Sequence, residues 1–169
     1  MKKLTAISLL CLVLVWLASP TVATAIQEER FSEQYDIGAE GSFTLSNLSG
    51  DIVVRADSVS QVEVEAIKRV HRSRGDQDAS RQLEAVEIQV THSGNRVRIN
   101  TRYGDRDGRG DHDINVSVDY EVMVPLGTEV SVKSVSGNVN VEGVQGELEA
   151  ESVSGEVTVK KVEQLLVAK

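Results

Sequence analysis

From Pro125 to Lys169 the apolar and polar positions recur every nine residues, as PLGTEVSVK, SVSGNVNVE, GVQGELEAE, SVSGEVTVK and KVEQLLVAK. Three columns are apolar in every copy. The first holds Leu126, Val135, Val144, Val153 and Val162; the second Val130, Val139, Leu148, Val157 and Leu166; the third Val132, Val141, Ala150, Val159 and Ala168. A fourth column holds Gly137, Gly146 and Gly155. Counted within each copy these are positions two, six, eight and four, which share one face of an extended segment because side chains alternate along a strand. The step from position eight to the next position two is three residues, so the alternation slips once per copy. A flat strand has no room for that slip, whereas a corner does.

Two nonads then make one coil of eighteen residues, and coils stack at about 4.8 Å with their apolar columns inside. The pattern predicts an all-β fold, with a β-solenoid or β-roll-like stack over 125–169. An antiparallel meander is the alternative, although its hairpins would more usually carry Asn-Gly or Asp-Gly. Stacking makes residues eighteen apart neighbours, which sets Glu151 between Lys133 and Lys169, Glu142 beside Lys160, and Glu129 beside Glu147. In the last copy Leu165 and Val167 stand in columns that are polar earlier, and are predicted to face outward. An open apolar rung invites association. These two residues therefore mark a candidate interaction surface, for an envelope protein or for self-association, unless the chain is a truncated form of a longer one.

Upstream, the pattern predicts shorter strands, antiparallel to one another. Residues 26–41 read as a flexible lead-in or an edge strand, and a single β-repeat domain is expected over 42–169. Ser42–Leu45 and Asp51–Arg55 flank a turn, and the phrase LSGDIVV at 48–54 matches VSGNVNV at 135–141. One turn geometry is thus expected at both ends of the domain. Val62–Ile67 alternates as a half-buried strand, Asp78 is placed to cap one short helix over Ala79–Ala85, and Val86–Val90 with Val97–Asn100 makes a hairpin. Ile114–Val124 is the longest strand, and Pro125 ends it.

The N-terminus reads differently. Met1-Lys2-Lys3, an apolar run from Leu4 to Leu17 and Ala23-Thr24-Ala25 have the form of a secretory signal peptide over residues 1–25. Its removal would take away Cys11 and Trp16, the chain's lone Cys and Trp. The remaining part would have no thiol chemistry and no stable membrane span, and its destination would be periplasmic, cell-envelope or extracellular. It would carry 16 basic and 26 acidic residues, net −10. That sign argues against nucleic acid and anionic membranes, where Lys and Arg must neutralise phosphates.

With Leu48-Ser-Gly-Asp-Ile-Val-Val54, Tyr120-Glu-Val-Met-Val-Pro-Leu-Gly-Thr128 and the Val-Ser-Gly repeats that follow, the chain resembles the bacterial putative-adhesin family of β-strand-repeat domains, roughly from Phe43 to Val159. The resemblance implies an exported or envelope-facing repeat domain, and brings no catalytic residues with it.

Candidate chemistry is sparse. The loop from Gly104 to Asp113 places Asp105, Asp107, Asp111 and Asp113 among glycines, an oxygen-rich set that calcium would accept. It does not fit the twelve-residue calcium loop, because the position that needs glutamate is Val116. A melting temperature indifferent to EDTA and calcium would remove that reading. His71, His92 and His112 lack metal-ligand spacing and read as exposed bystanders. The acids at 142, 147, 149, 151 and 156 read as a solvated face rather than a paired acid and base. No cofactor is implied. The leading reading is a non-catalytic exported interaction module; a glycan-binding or glycan-active β-solenoid is the runner-up. Aromatics or clustered acids along one groove would favour the runner-up, and no aromatic falls within the repeats.

Overall fold

The computed structural model describes residues 27–104 and 114–169. The signal-peptide reading and the Asp-rich loop lie outside those residues. The chain runs β1 (Glu28–Asp36), β2 (Ser42–Ser49), β3 (Ile52–Asp57), β4 (Gln61–Val70), α1 (Asp76–Glu84), β5 (Val86–Ser93), β6 (Arg96–Tyr103), β7 (Val116–Pro125), β8 (Glu129–Ser136), β9 (Val139–Glu142), β10 (Glu147–Ser154), β11 (Val157–Lys160) and β12 (Gln164–Ala168). The strands form two mixed six-stranded sheets, ordered β1-β4-β7-β3-β9-β11 and β12-β10-β8-β2-β6-β5.

From β6 onward the chain alternates between the two sheets at every strand, and it does the same at β2 and β3. Within each sheet these strands pair in parallel. Leu148 lies beside Val130, Ala150 beside Val132, Val157 beside Val139 and Val159 beside Val141, each an offset of eighteen residues. The two nonads of a coil are therefore inequivalent: one builds an eight-residue strand in the second sheet, the next a four-residue strand in the first.

That inequivalence corrects the first apolar column. β8 and β10 run on past the nonad boundary, so strict alternation after the inward Ser134 turns Val135 out. Val135 is 46% exposed and Val153 83%, whereas Val144 is fully buried. Leu48 falls at the same point of β2, so Leu48, Val135 and Val153 make an exposed apolar column. The other two columns behave as expected up to Ala150, with Val130, Val132, Val139, Val141, Leu148 and Ala150 at most 2% exposed; beyond it Val157 and Val159 are half-buried and Leu166 and Ala168 are exposed. Each fully buried Val or Leu contributes about 1.5–3 kcal/mol.

The upstream strands hold the largest correction. β2 and β3 are not antiparallel forerunners of the repeat; they are a rung of it. β2 lies in parallel between β6 and β8, and β3 between β7 and β9. The two matching phrases are therefore on adjacent rungs, not at opposite ends. Among the described residues, antiparallel pairing is confined to β1–β4, β4–β7 and β5–β6. Within the segment read as a lead-in or an edge strand, Glu28–Asp36 form edge strand β1. The helix starts earlier than Ala79, with Gly75 as its N-cap, and the Asp78 carboxylate lies inside the first turn, accepting the Arg74 N–H at 2.8 Å and the Gln82 amide at 3.1 Å.

Candidate interaction surfaces

Three places among the described residues are candidates for a functional role: a polar ladder, the last rung, and a cleft at the opposite end. The ladder lies on the outer face of the second sheet. Lys133 donates to Glu149 at 3.0 Å and pairs with Glu151 at 3.4 Å, while Lys169 pairs with Glu151 at 2.7 Å. Glu151 thus sits between the two lysines expected from the eighteen-residue offset. Glu142 is in register with Lys160, but its carboxylate accepts at 2.7 Å from Lys161, the corner residue with a positive φ of 51°.

Hydrogen bonds from these lysines hold the carboxyls of Glu142, Glu149 and Glu151 below the usual carboxylate value; Ser131 adds to the effect at Glu149. A general acid needs the opposite shift. All three acids stay ionised together, so the ladder offers no divided pair of acid and base.

The last rung is where the expected interaction residues fall. In β12 the register slips by one residue between Leu148 and Glu149, so that Leu148 faces Leu165 while Glu149 faces Val167 and Ala150 faces Ala168. Leu165 therefore joins the inward column of Leu148, contrary to its expected outward position, and Leu166 is the residue displaced by the bulge. Val167 keeps its outward column beside Glu149 and is half-buried. Leu165 is 50% exposed and Leu166 63%, although Leu148 one rung earlier is fully buried.

The cleft lies at the other end, where edge strands β1 and β5 do not close on each other. Its volume is about 610 Å³, with Glu29, Phe31, Lys68, Val86, Ile88 and Arg102 among its lining. The register of β1 on β4 pairs Glu29 with Lys68 and Phe31 with Ala66. Ala66 belongs to the buried face of β4, so Lys68, two residues on, faces inward too. Its side chain is only 9% exposed, and Nζ donates to Glu29 Oε1 at 2.9 Å. The strand expected over Val62–Ile67 extends through Lys68, and the period-two phase, which continues into the basic stretch, is the sequence signal that places Lys68 on the inward face.

Two histidines have structural work. His71 Nε2 lies 2.8 Å from Ser117 Oγ. His92 Nε2 lies 2.9 Å from the Asp36 carbonyl and 3.0 Å from that of Gly94, and its ring packs edge-on against Tyr35. Two carbonyl partners make that nitrogen a donor. His112, with Asp105, Asp107, Asp111 and Asp113, is outside the described residues. Among those described, no three His, Cys, Asp or Glu side chains are grouped to hold a metal ion, and no helix is long and apolar enough to cross a membrane.

No protein-family model and no curated protein matches the chain. Among solved structures it is similar to a putative cell adhesion protein from Clostridium sporogenes, at 11% identity and a TM-score of 0.45, covering 79% of this chain and 59% of that one. It is also similar to a putative adhesin from Bacteroides fragilis, at 12% identity and a TM-score of 0.47, covering 81% and 56%. A putative lipid binding protein from Parabacteroides distasonis aligns at 12% identity and a TM-score of 0.40, covering 80% and 59%. The chain thus spans less than two thirds of the length of each.

Proposed function

We propose that this chain is an exported, non-catalytic β-repeat module of the bacterial cell envelope, in which a short β-solenoid presents its last rung to a partner. The observation that carries the reading is a contrast between identical columns. Val139 and Val141 are at most 2% exposed, whereas Val157 and Val159, stacked on them, are only half-buried; Leu148 is covered, whereas Leu165 on its outer side is 50% exposed. Such a rung accepts one more strand on each sheet. An envelope protein or a second copy would supply it, unless additional chain does so. The acidic surface argues against nucleic acid as that partner.

Photocrosslinking in the producing cells tests this. A crosslinking side chain at Leu165 or Leu166 should give a discrete adduct in the exported fraction, and one at Thr44 or Arg98 should not. Equal labelling at all four sites, or protein retained in the cytoplasm, would defeat the reading.

A further inference from the structure

We propose that the cleft between β1 and β5 is a binding site for a neutral saccharide. The argument starts from Lys68. A lysine on the inward face of a strand loses its hydration, and one carboxylate only partly offsets the cost. An aliphatic residue at 68 would pack on the same face without that penalty. The ammonium has three donors, and its acceptor among the described residues is Glu29 Oε1. Beside this pair, two residues along the same face of β1, stands the half-buried ring of Phe31; Val86 and Ile88 form the facing wall. An aromatic face next to a nearly buried ammonium and its half-exposed carboxylate partner suits a ligand that is apolar on its flat side and hydroxylated at its edge.

Charge decides among the occupants. Among the described residues, the lining sets Glu29 and Glu87 against Lys68 and Arg102, within a chain of net charge −8. An anionic amphiphile would have to displace Glu29 from Lys68. A cationic one would meet Lys68 at the floor. A sugar needs neither displacement, since hydroxyls donate to Glu29 and accept from Lys68 while a pyranose face lies on Phe31. An added peptide strand is disfavoured because β1 carries Glu28, Glu29, Arg30 and Glu33, charges of the kind that keep an edge from pairing. The volume is within the range of small-ligand sites. The site is distant from the last rung, and does not depend on the function proposed for it.

The test is an amide-resolved NMR titration of the purified protein with cellotetraose, chitotetraose and maltotetraose, with oleate and a Val-rich octapeptide as contrasts. At least one sugar should shift the amides of residues 29–31, 68 and 86–88. Phe31→Leu, which keeps the apolar packing, should weaken that sugar about tenfold. Lys68→Met, which keeps the stem, should weaken it similarly with an unchanged or raised melting temperature. Silence of the cleft amides toward all three sugars overturns the assignment. So does a response to oleate or peptide alone, or sugar affinity unaltered in both folded variants.

Discussion

Gly137 lies over the backbone carbonyl of Gly50: a Cβ at residue 137 would stand 2.1 Å from Gly50 O. Both glycines have positive φ, +141° and +116°, and a Cβ at residue 155 would likewise stand 2.1 Å from Gly137 O. The corner is therefore built three deep from residues spread over most of the chain. The contact is backbone on backbone, which no side-chain rotamer relieves.

Gly137→Ala should accordingly be among the most damaging single substitutions, costing more than about 3 kcal/mol through clash and backbone strain together. Gly94→Ala meets nothing within 4 Å, although its φ is also positive at +57°, and should cost only about 1 kcal/mol. Urea unfolding of both variants checks the difference; equal losses would mean that conformation, not close approach, governs the corner.

Alongside the glycines runs a ladder of side-chain caps. Asp119 Oδ1 accepts the Asp51 N–H at 2.9 Å, Asp51 Oδ1 accepts that of Asn138 at 2.8 Å, and Asn138 Oδ1 accepts that of Glu156 at 3.0 Å. Asn138→Ala leaves the Glu156 N–H without its acceptor and should cost about 1 kcal/mol. Hydrogen exchange at Glu156 should accelerate more than at Val130, which lies away from the corner.

Val144 and Val153 hold the same column of the repeat and should respond oppositely. Val144→Ala opens a fully buried site and should cost about 2 kcal/mol. Val153→Lys alters a residue 83% exposed and should stay within about 0.5 kcal/mol of the parent. Thermal or urea unfolding decides, and a severe effect at Val153 would mean that the exposed column is covered in solution.

Stability should fall at alkaline pH. Burial pushes the Tyr103 hydroxyl up to about 12 and raises that of Tyr120 further, despite its 2.7 Å hydrogen bond to Thr101 across the core. Because the folded values exceed the unfolded value of 10, the contribution is complete below pH 10 and is lost as pH rises toward 12. Unfolding free energy measured from pH 8 upward should decline over that window. Tyr120→Phe should reduce the decline and cost about 1–2 kcal/mol at neutral pH, where it leaves the Thr101 hydroxyl without its partner.

The sequence alone determined the period, the strand-and-corner unit, the eighteen-residue offset and, as far as Ala150, the buried columns at positions six and eight. Those properties follow from alternation along a strand, so local pattern suffices for them. It also placed Glu151 between Lys133 and Lys169, because a fixed offset is enough to predict who stacks on whom.

Tertiary structure decided where the repeat begins. β2 and β3 hold a rung between β6–β7 and β8–β9, a pairing across long stretches of chain that no local period encodes. It also decided the face of Val135 and Val153, since only the partner strand shows that β8 and β10 continue past the nonad boundary. The one-residue slip that turns Leu165 inward is likewise a property of β12 against β10. So is the cleft, whose walls β1 and β5 belong to different sheets. Periodicity fixes which face of a strand is apolar; only pairing with distant strands settles what that face meets.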